Sequence, residues 1–450
     1  MLGMKVLFVS LGCDKNLVDS EYMLGILRNE GYDLTDDETE ADVIIVNSCC
    51  FIGDAKEESI NTILEMGTYR TDAEARCRAL IVTGCLAQRY ADEIRTEIPE
   101  VDAVIGTTAY DEIGSVLKRV LEGEYVKELR NTDRLVLPEH SRIITTGGYY
   151  SYLKIAEGCS KHCTYCIIPH LRGSYRSVPM ERLIEEASFL AGKGVKELIL
   201  VAQETTVYGV DLYGEKALPG LLKELCRIDG LEWIRIMYCY PEEITDELID
   251  VIREEPKICH YIDMPIQHAS DAVLKRMGRK TNRAELIKII TTIRERIPDI
   301  SLRTTLITGF PGETQEDTEA LLDFVDSMEF DRLGVFTYSA EEGTPAAGME
   351  GQIPEEIREE RRDEIMSLQQ DIAYEHARSM EGRRLDVIIE GRLVDEDVYA
   401  ARTYMDAPGV DGMLFLSTDR ELMSGDIVSV RVTGASEYDL IGELCDESAE

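Results

Sequence analysis

Three cysteines within eight residues, Cys159, Cys163 and Cys166, are the part of this sequence best suited to chemistry. They lie in Glu157-Gly158-Cys159-Ser160-Lys161-His162-Cys163-Thr164-Tyr165-Cys166, with three residues inside the first gap and two inside the second. Thiolates this close can wrap one inorganic cluster. A four-iron cubane held by three thiolates keeps one iron without a protein ligand, whereas clusters that only carry electrons usually have four cysteines. The missing ligand therefore points to a cluster that reacts at its open iron. Two other readings stand beside it: a zinc site completed by His162 or His170, and three unrelated cysteines. Zinc ribbons pair their cysteines differently.

A second set is spread along the chain. Cys13, Cys49 and Cys85 each follow a short apolar run, at residues 5–10, 42–47 and 79–84. If these runs are parallel strands of one sheet, the three thiols gather at its carboxyl edge, where α/β folds collect ligands. Three thiolates would again leave one iron open. On pattern alone, buried apolar cysteines explain these positions equally well. Cys77, Cys226, Cys239, Cys259 and Cys445 have no ligand-like spacing and read as packing residues.

The elements that must position these groups fall into three segments. Residues 1–130 alternate strand patterns (5–10, 42–47, 79–84, 103–106) with helical ones (20–29, 55–66, 88–97, 110–122), which implies a parallel sheet covered by helices. Residues 131–148 have little periodicity, end in Gly147-Gly148 and read as a linker. Residues 149–380 carry six further strand patterns at 152–156, 197–202, 233–238, 261–265, 302–308 and 333–338. Helical patterns between them include 181–192 and 283–296, and a charged helix closes the segment at 355–380. This arrangement fits a partial β/α barrel. Residues 383–450 change period, with strand patterns at 385–390, 398–404, 412–416, 427–432 and 440–444, and read as a small all-β barrel.

Charge and cysteine usage set the compartment and the partners. The 48 Lys+Arg face 87 Asp+Glu, a formal net charge of −39. Such a surface repels phosphate backbones and attracts basic partners, although acidity also simply aids solubility. No apolar run reaches the ~18 residues of a membrane helix, and residues 1–10 lack the layout of a signal peptide. The expectation is a cytoplasmic protein without membrane contact, whose twelve cysteines serve as metal ligands or thiols rather than disulfides.

The motif around Cys159 resembles the radical S-adenosylmethionine superfamily. That resemblance implies a 4Fe–4S cluster whose open iron is chelated by the cofactor's amino and carboxylate groups. It also implies a 5′-deoxyadenosyl radical that takes hydrogen from an unactivated carbon. Tyr165 matches the aromatic that usually precedes the third cysteine, near the adenine. Leu11-Gly12-Cys13, Asn47-Ser48-Cys49 and Thr83-Gly84-Cys85 resemble the three cysteine motifs of the methylthiotransferase family. So do Pro265-Ile266-Gln267-His268, Thr308-Gly309-Phe310-Pro311-Gly312-Glu313-Thr314 and a C-terminal TRAM-like barrel, over almost the whole chain. The family likeness implies a second, auxiliary 4Fe–4S cluster at Cys13, Cys49 and Cys85, whose open iron carries the sulfur to be transferred. Cys50 stands beside Cys49, where relatives usually have a small residue.

Cofactor contacts follow the same likeness. Glu204 keeps the acid of a Gly-Gly-Glu motif whose glycines are here Ala202 and Gln203; an exposed loop carboxylate is the plain alternative. Gly309 and Glu313 end another strand pattern, where glycine permits close backbone approach. For Glu313, a strand-to-helix turn with the acid near a helix N-terminus is an equal alternative. His268 reads as well as a core residue as a site residue.

Two branches of the family differ in substrate. One methylthiolates a modified adenosine of transfer RNA, and the other the β-carbon of an aspartate in uS12, the twelfth protein of the small ribosomal subunit. Residues 9–21 and Asn47-Ser48-Cys49-Cys50-Phe51-Ile52 resemble the protein-modifying branch, with Asp14 where relatives usually carry Pro. Residues 383–450 hold 16 Asp+Glu and 6 Lys+Arg, the wrong sign for a barrel that grips RNA. The expected partners are therefore basic uS12, free or in the small subunit, an external electron donor and a sulfur source. RNA binding is disfavoured. The tRNA enzyme is the nearer alternative, and a non-catalytic iron–sulfur protein the remoter one.

Overall fold

The computed structural model describes residues 3–138, 142–393 and 397–445. The N-terminal sheet is wholly parallel, in the spatial order Asp33–Thr35, Lys5–Ser10, Val43–Ser48, Ala79–Gly84, Ala103–Ile105, Val126–Glu128. Its central strands are apolar on both faces, Val43 to Val46 and Ala79 to Val82 being fully buried, because helices cover each side. The order reverses between the strands Lys5–Ser10 and Val43–Ser48. That reversal is the place where a doubly wound sheet opens a crevice at its carboxyl edge.

The central domain is an open parallel sheet of Tyr150–Lys154, Glu197–Val201, Trp233–Ile236, Ile258–Asp263, Ser301–Thr308 and Arg332–Thr337. Strand alternation sends Leu153, Leu198, Leu200 and Ile262 into the layer of helices. Their neighbours Tyr152, Ile199, Val201 and Tyr261 point to the other face. There they meet Val18 of the first helix and Ala407 of the C-terminal barrel. Both flanking domains thus help to fill the interior of the partial barrel. The C-terminal domain is a closed five-stranded barrel of Arg384–Arg392, Val398–Thr403, Leu414–Ser417, Asp439–Leu444 and Ile427–Ser436.

Several differences from the sequence reading have physical causes. The first helix runs Asp14–Asn29, six residues earlier than its apolar pattern, because Lys15, Asn16 and Asp19 are buried polar residues with partners in other loops. The edge strands Asp33–Thr35 and Val126–Glu128 are too short and polar to register as patterns. The fourth central strand is Ile258–Asp263 rather than 261–265, since Pro265 has no N–H to give to a ladder. The expected linker is a tethered strap: Arg134 pairs with Asp111, Arg142 lies within 3.5 Å of Glu21, and Ile143 N–H donates to the Glu21 carbonyl. Residues 139–141 of that strap lie outside the described residues.

Candidate functional site

The loop of Cys159, Cys163 and Cys166 leaves the first central strand and is braced by backbone. Gly158 has φ 77°, and a Cβ there would lie 2.2 Å from the Ser174 carbonyl oxygen, so only glycine fits. Cys159 N–H donates to the Gly173 carbonyl at 3.1 Å, and Cys166 N–H to that of Cys163 at 3.0 Å. Thr164 clips the loop to the end of the helix Asp271–Arg276 through the Met277 and Arg276 carbonyls. Burial pushes the Cys159 thiol up to about 11 and the Cys166 thiol up to about 12. Nearby thiols add to the effect of burial, Cys163 on Cys159, and Cys163 and Cys159 on Cys166. Thiols held neutral by burial become ligands when a cation replaces the proton. The donor set fits an iron–sulfur cluster, and His162 and His170 are both exposed. Among the described residues, no three Cys, His, Asp or Glu side chains stand at the spacing of a single metal ion.

Side chains around this loop supply charge and an apolar wall. Glu204 is buried after the strand Glu197–Val201, with Lys161 Nζ at 3.4 Å and Thr206 Oγ1 donating at 3.3 Å. Burial pushes its carboxyl up to about 7 despite Lys161. It is thus not the exposed loop carboxylate of the plain alternative. Tyr165 stands edge-on to Phe310, ring centroids 6.5 Å apart, beside Val273 and Met277. Arg279 lies 4.3 Å over the Tyr240 ring, and Tyr240 Oη is 3.9 Å from Cys163 Sγ. Lys161, Tyr240 and Arg279 were not singled out from the sequence. Lys161 lay inside the cysteine motif, but Tyr240 and Arg279 come from distant loops.

Two expected cofactor contacts, Gly309 and Glu313, also have neighbours within the fold. At Gly309, φ is 71° and a Cβ would fall 1.9 Å from Arg358 Cγ of the helix Glu355–Ser379. The Glu313 carboxylate accepts from Phe310 N–H at 3.0 Å, Thr318 Oγ1 at 3.2 Å and Arg361 Nη1 at 2.7 Å. Both oxygens are engaged, so the geometry favours the turn-bracing role for Glu313. His268 is fully buried, accepts from Ser270 N–H through Nδ1 at 2.9 Å, and is a core residue.

The strand ends that carry Cys13, Cys49 and Cys85 lie together at the carboxyl edge of the N-terminal sheet. Cys13 caps the helix Asp14–Asn29 without using its side chain, Cys49 begins the loop after Val43–Ser48, and Cys85 opens the helix Cys85–Glu97. The loops of Cys13 and Cys49 flank the sheet's reversal point. Gly12 packs so closely that a Cβ would sit 2.7 Å from Cys49 Cβ. Asn16 Nδ2 donates to the Leu11 carbonyl at 3.1 Å and the Ser48 carbonyl at 3.2 Å, and its Oδ1 is 4.0 Å from Cys85 Sγ. Cys50 lies in the apolar core with Ile44, Val46 and Leu86, and burial pushes it up to about 12. This donor set also fits a cluster with an open iron.

The two sites face one another across the domain interface. Tyr238 Oη donates to Asp14 at 3.1 Å, Lys15 Nζ lies 3.3 Å over the Tyr238 ring, and Arg172, at the end of the helix Ile168–Arg172 that follows the first loop, reaches Asn16 of the helix that Cys13 caps. Several relatives that match along the whole chain share a name. A protein of Lachnoclostridium phytofermentans called ribosomal protein uS12 methylthiotransferase RimO is 64% identical over 98% of this chain and 99% of its own. Proteins of the same name from Clostridium tetani and Clostridioides difficile are 49% and 50% identical, covering at least 99% of both chains. The chain belongs to the ribosomal protein uS12 methylthiotransferase family. Family models match it in three places: the uncharacterized protein family UPF0004 at residues 5–106, the radical SAM superfamily at 153–325 and the TRAM domain at 382–445. Membership brings an iron–sulfur cluster and S-adenosylmethionine with it. Among solved structures, the radical methyltransferase TsrM of Kitasatospora setae aligns over 77% of each chain with a TM-score of 0.53 at 14% identity. The cobalamin-dependent radical enzyme OxsB aligns over 82% of this chain and 56% of its own, at 0.52 and 14%. These likenesses are of fold.

Proposed function

We propose that this chain adds a methylthio group to the β-carbon of an aspartate of ribosomal protein uS12, using S-adenosylmethionine and two 4Fe–4S clusters. The observation that supports the two-cluster part is the pairing, across one interface, of a three-cysteine loop with three cysteines from the ends of three neighbouring strands. Bound at these loops, the clusters would supply the electron that splits S-adenosylmethionine and an iron on which transferable sulfur is held. Cys159, Cys163 and Cys166 hold the first, and Cys13, Cys49 and Cys85 the second. Glu204 presents a carboxylate to the cofactor's amino group. Tyr165, with Phe310 and Met277 behind it, forms the apolar wall that keeps water from the reacting carbon.

Charge supports the protein substrate over RNA. The C-terminal barrel is acidic, and an acidic face steers toward a basic ribosomal protein. Part of that acidity has another use: Asp406 and Asp411 pair with Arg332 and Arg303 of the central domain. The remaining exposed acids are the ones that can meet uS12. An external electron donor and a sulfur source complete the reaction. Among the described residues, no helix is long and apolar enough to cross a membrane. Mass spectrometry of uS12 and of tRNA from a strain lacking this protein tests the reading. Loss of the methylthio group from uS12 alone is expected, and loss from tRNA alone would overturn it.

A further inference from the structure

A buried strut joins the loop of the first triad to the strand ends that carry the second. Arg172 ends the short helix Ile168–Arg172, six residues after Cys166, and is 1% exposed. The next carbonyl, that of Gly173, holds Cys159 N–H. The Arg172 side chain crosses into the N-terminal domain. Nη2 donates to Asn16 Oδ1, and Nη1 donates to Asp19 at 3.1 Å and to both Glu157 oxygens at 3.0 Å. Glu157 lies two residues before Cys159. Asn16 grips the carbonyls of Leu11 and Ser48, beside the loops of Cys13 and Cys49. One side chain therefore ties both triads, through a single intermediate residue on each side.

The network is balanced but polarised. Lys154 closes it by pairing with Asp19 and, at 2.8 Å, with Glu157, and all four charged groups are buried. Taking four charges out of water costs about as much as their pairing returns, so such a network is poorly explained as a source of stability. What it does supply is fixed geometry. Its Arg172 end also faces the second triad: Asn16 Oδ1, which Arg172 holds, is 4.0 Å from Cys85 Sγ, and the guanidinium interacts electrostatically with Cys85 and Cys13.

We infer that Arg172 is a positioning residue of the transfer: it sets the register between the two cluster loops and places a positive charge beside the second. This rests on the two-cluster reading above. Three variants of the full chain test it: Arg172→Gln, Arg172→Lys and, as a control within the same network, Lys154→Gln. The potential of the second cluster is read by redox titration and electron paramagnetic resonance in a Cys159→Ala, Cys163→Ala, Cys166→Ala background. Coupling is read as methylthiolated uS12 formed per deoxyadenosine, with the first triad intact.

Arg172→Gln lowers the potential, because an electron is harder to add once the nearby positive charge is gone. It also cuts coupling on the order of a hundredfold, the scale of an ångström-sized misplacement, while deoxyadenosine still forms. Arg172→Lys keeps the potential near that of the unsubstituted chain but not the coupling, since an ammonium cannot span Asn16, Asp19 and Glu157 at once. Lys154→Gln leaves the potential unchanged. An unaltered potential and coupling in Arg172→Gln would overturn the inference. So would full coupling in Arg172→Lys, which also decides the matter if Arg172→Gln fails to retain iron. If the unsubstituted chain binds only one cluster, the two-cluster reading is what fails.

Discussion

Glu197 holds the C-terminal barrel to the central domain, and replacing it with Gln isolates that latch. The carboxylate is fully buried at the start of the strand Glu197–Val201. It accepts from Arg235 Nε at 2.8 Å and, across the domain boundary, from Arg402 Nη2 at 2.6 Å. Both guanidiniums are themselves buried, with Arg235 also donating to the Tyr404 carbonyl at 2.6 Å and Arg402 to the Asp406 carbonyl at 3.0 Å. Glu197→Gln removes the one charge both arginines share. Removing one partner of a buried pair costs about 3–5 kcal/mol, and the carbonyl bonds and the Arg402–Glu390 pair that remain put this case at the lower end, about 3 kcal/mol. That is on the order of a hundredfold in the ratio of docked to undocked barrel. The chain's single tryptophan, Trp233, packs with Tyr404 and Ala407 of the barrel, so its fluorescence reports docking during denaturation. An early transition is expected in the variant. Burial alone would raise the Glu197 carboxyl, but Arg402 and Arg235 outweigh it and hold it below the ordinary 4.5. For a lowered acid, the stabilisation is present above the unfolded value and is lost as pH falls through the lower folded one. The latch should therefore persist to below pH 4.5 in the parent chain. A loss under about 1 kcal/mol, the level of an exposed pair, would refute the reasoning.

Replacing Cys159, Cys163 and Cys166 with Ala should abolish deoxyadenosine formation, whereas replacing Cys13, Cys49 and Cys85 should spare it and abolish methylthio transfer. Both are read by chromatography of the reconstituted protein. Glu204, pushed up to about 7 by burial, must be ionised to pair with an ammonium, so affinity for S-adenosylmethionine should rise as pH passes through about 7. Glu204→Gln should bind more weakly and with a flat pH profile, as measured by calorimetry. Because this acid is raised on folding, it favours the fold most below pH 4.5, and that contribution declines as pH climbs toward 7. Gly12→Ala should lower iron content at the second site only, since it puts a methyl group 2.7 Å from Cys49 Cβ at a φ of 88°.

The fold class and the order of its parts were legible because local patterns carried them. Strand runs such as Lys5–Ser10 and Ala79–Gly84 and the helix Arg283–Arg296 appear where the apolar period places them. The start of the helix Asp14–Asn29 was not legible, because its first turns bury polar residues whose partners lie more than a hundred residues away. The same blindness applied to the strap after residue 130 and to the arginines that latch the barrel.

By itself the sequence set out the close spacing of Cys159, Cys163 and Cys166 and the strand-end positions of Cys13, Cys49 and Cys85, since both are local properties, and the family likeness supplied the reading of each set as a triad of cluster ligands. Only the tertiary structure decided how the triads are held relative to each other. Arg172, Asn16, Asp19, Glu157 and Lys154 are ordinary charged or polar residues in sequence, and nothing local distinguishes them from a solvated face. They acquire meaning when folding removes them from water, because a buried charge must find its partner wherever the chain brings one. The same principle separated Glu204, buried beside the first loop, from Glu313, whose oxygens are already bound by Phe310, Thr318 and Arg361.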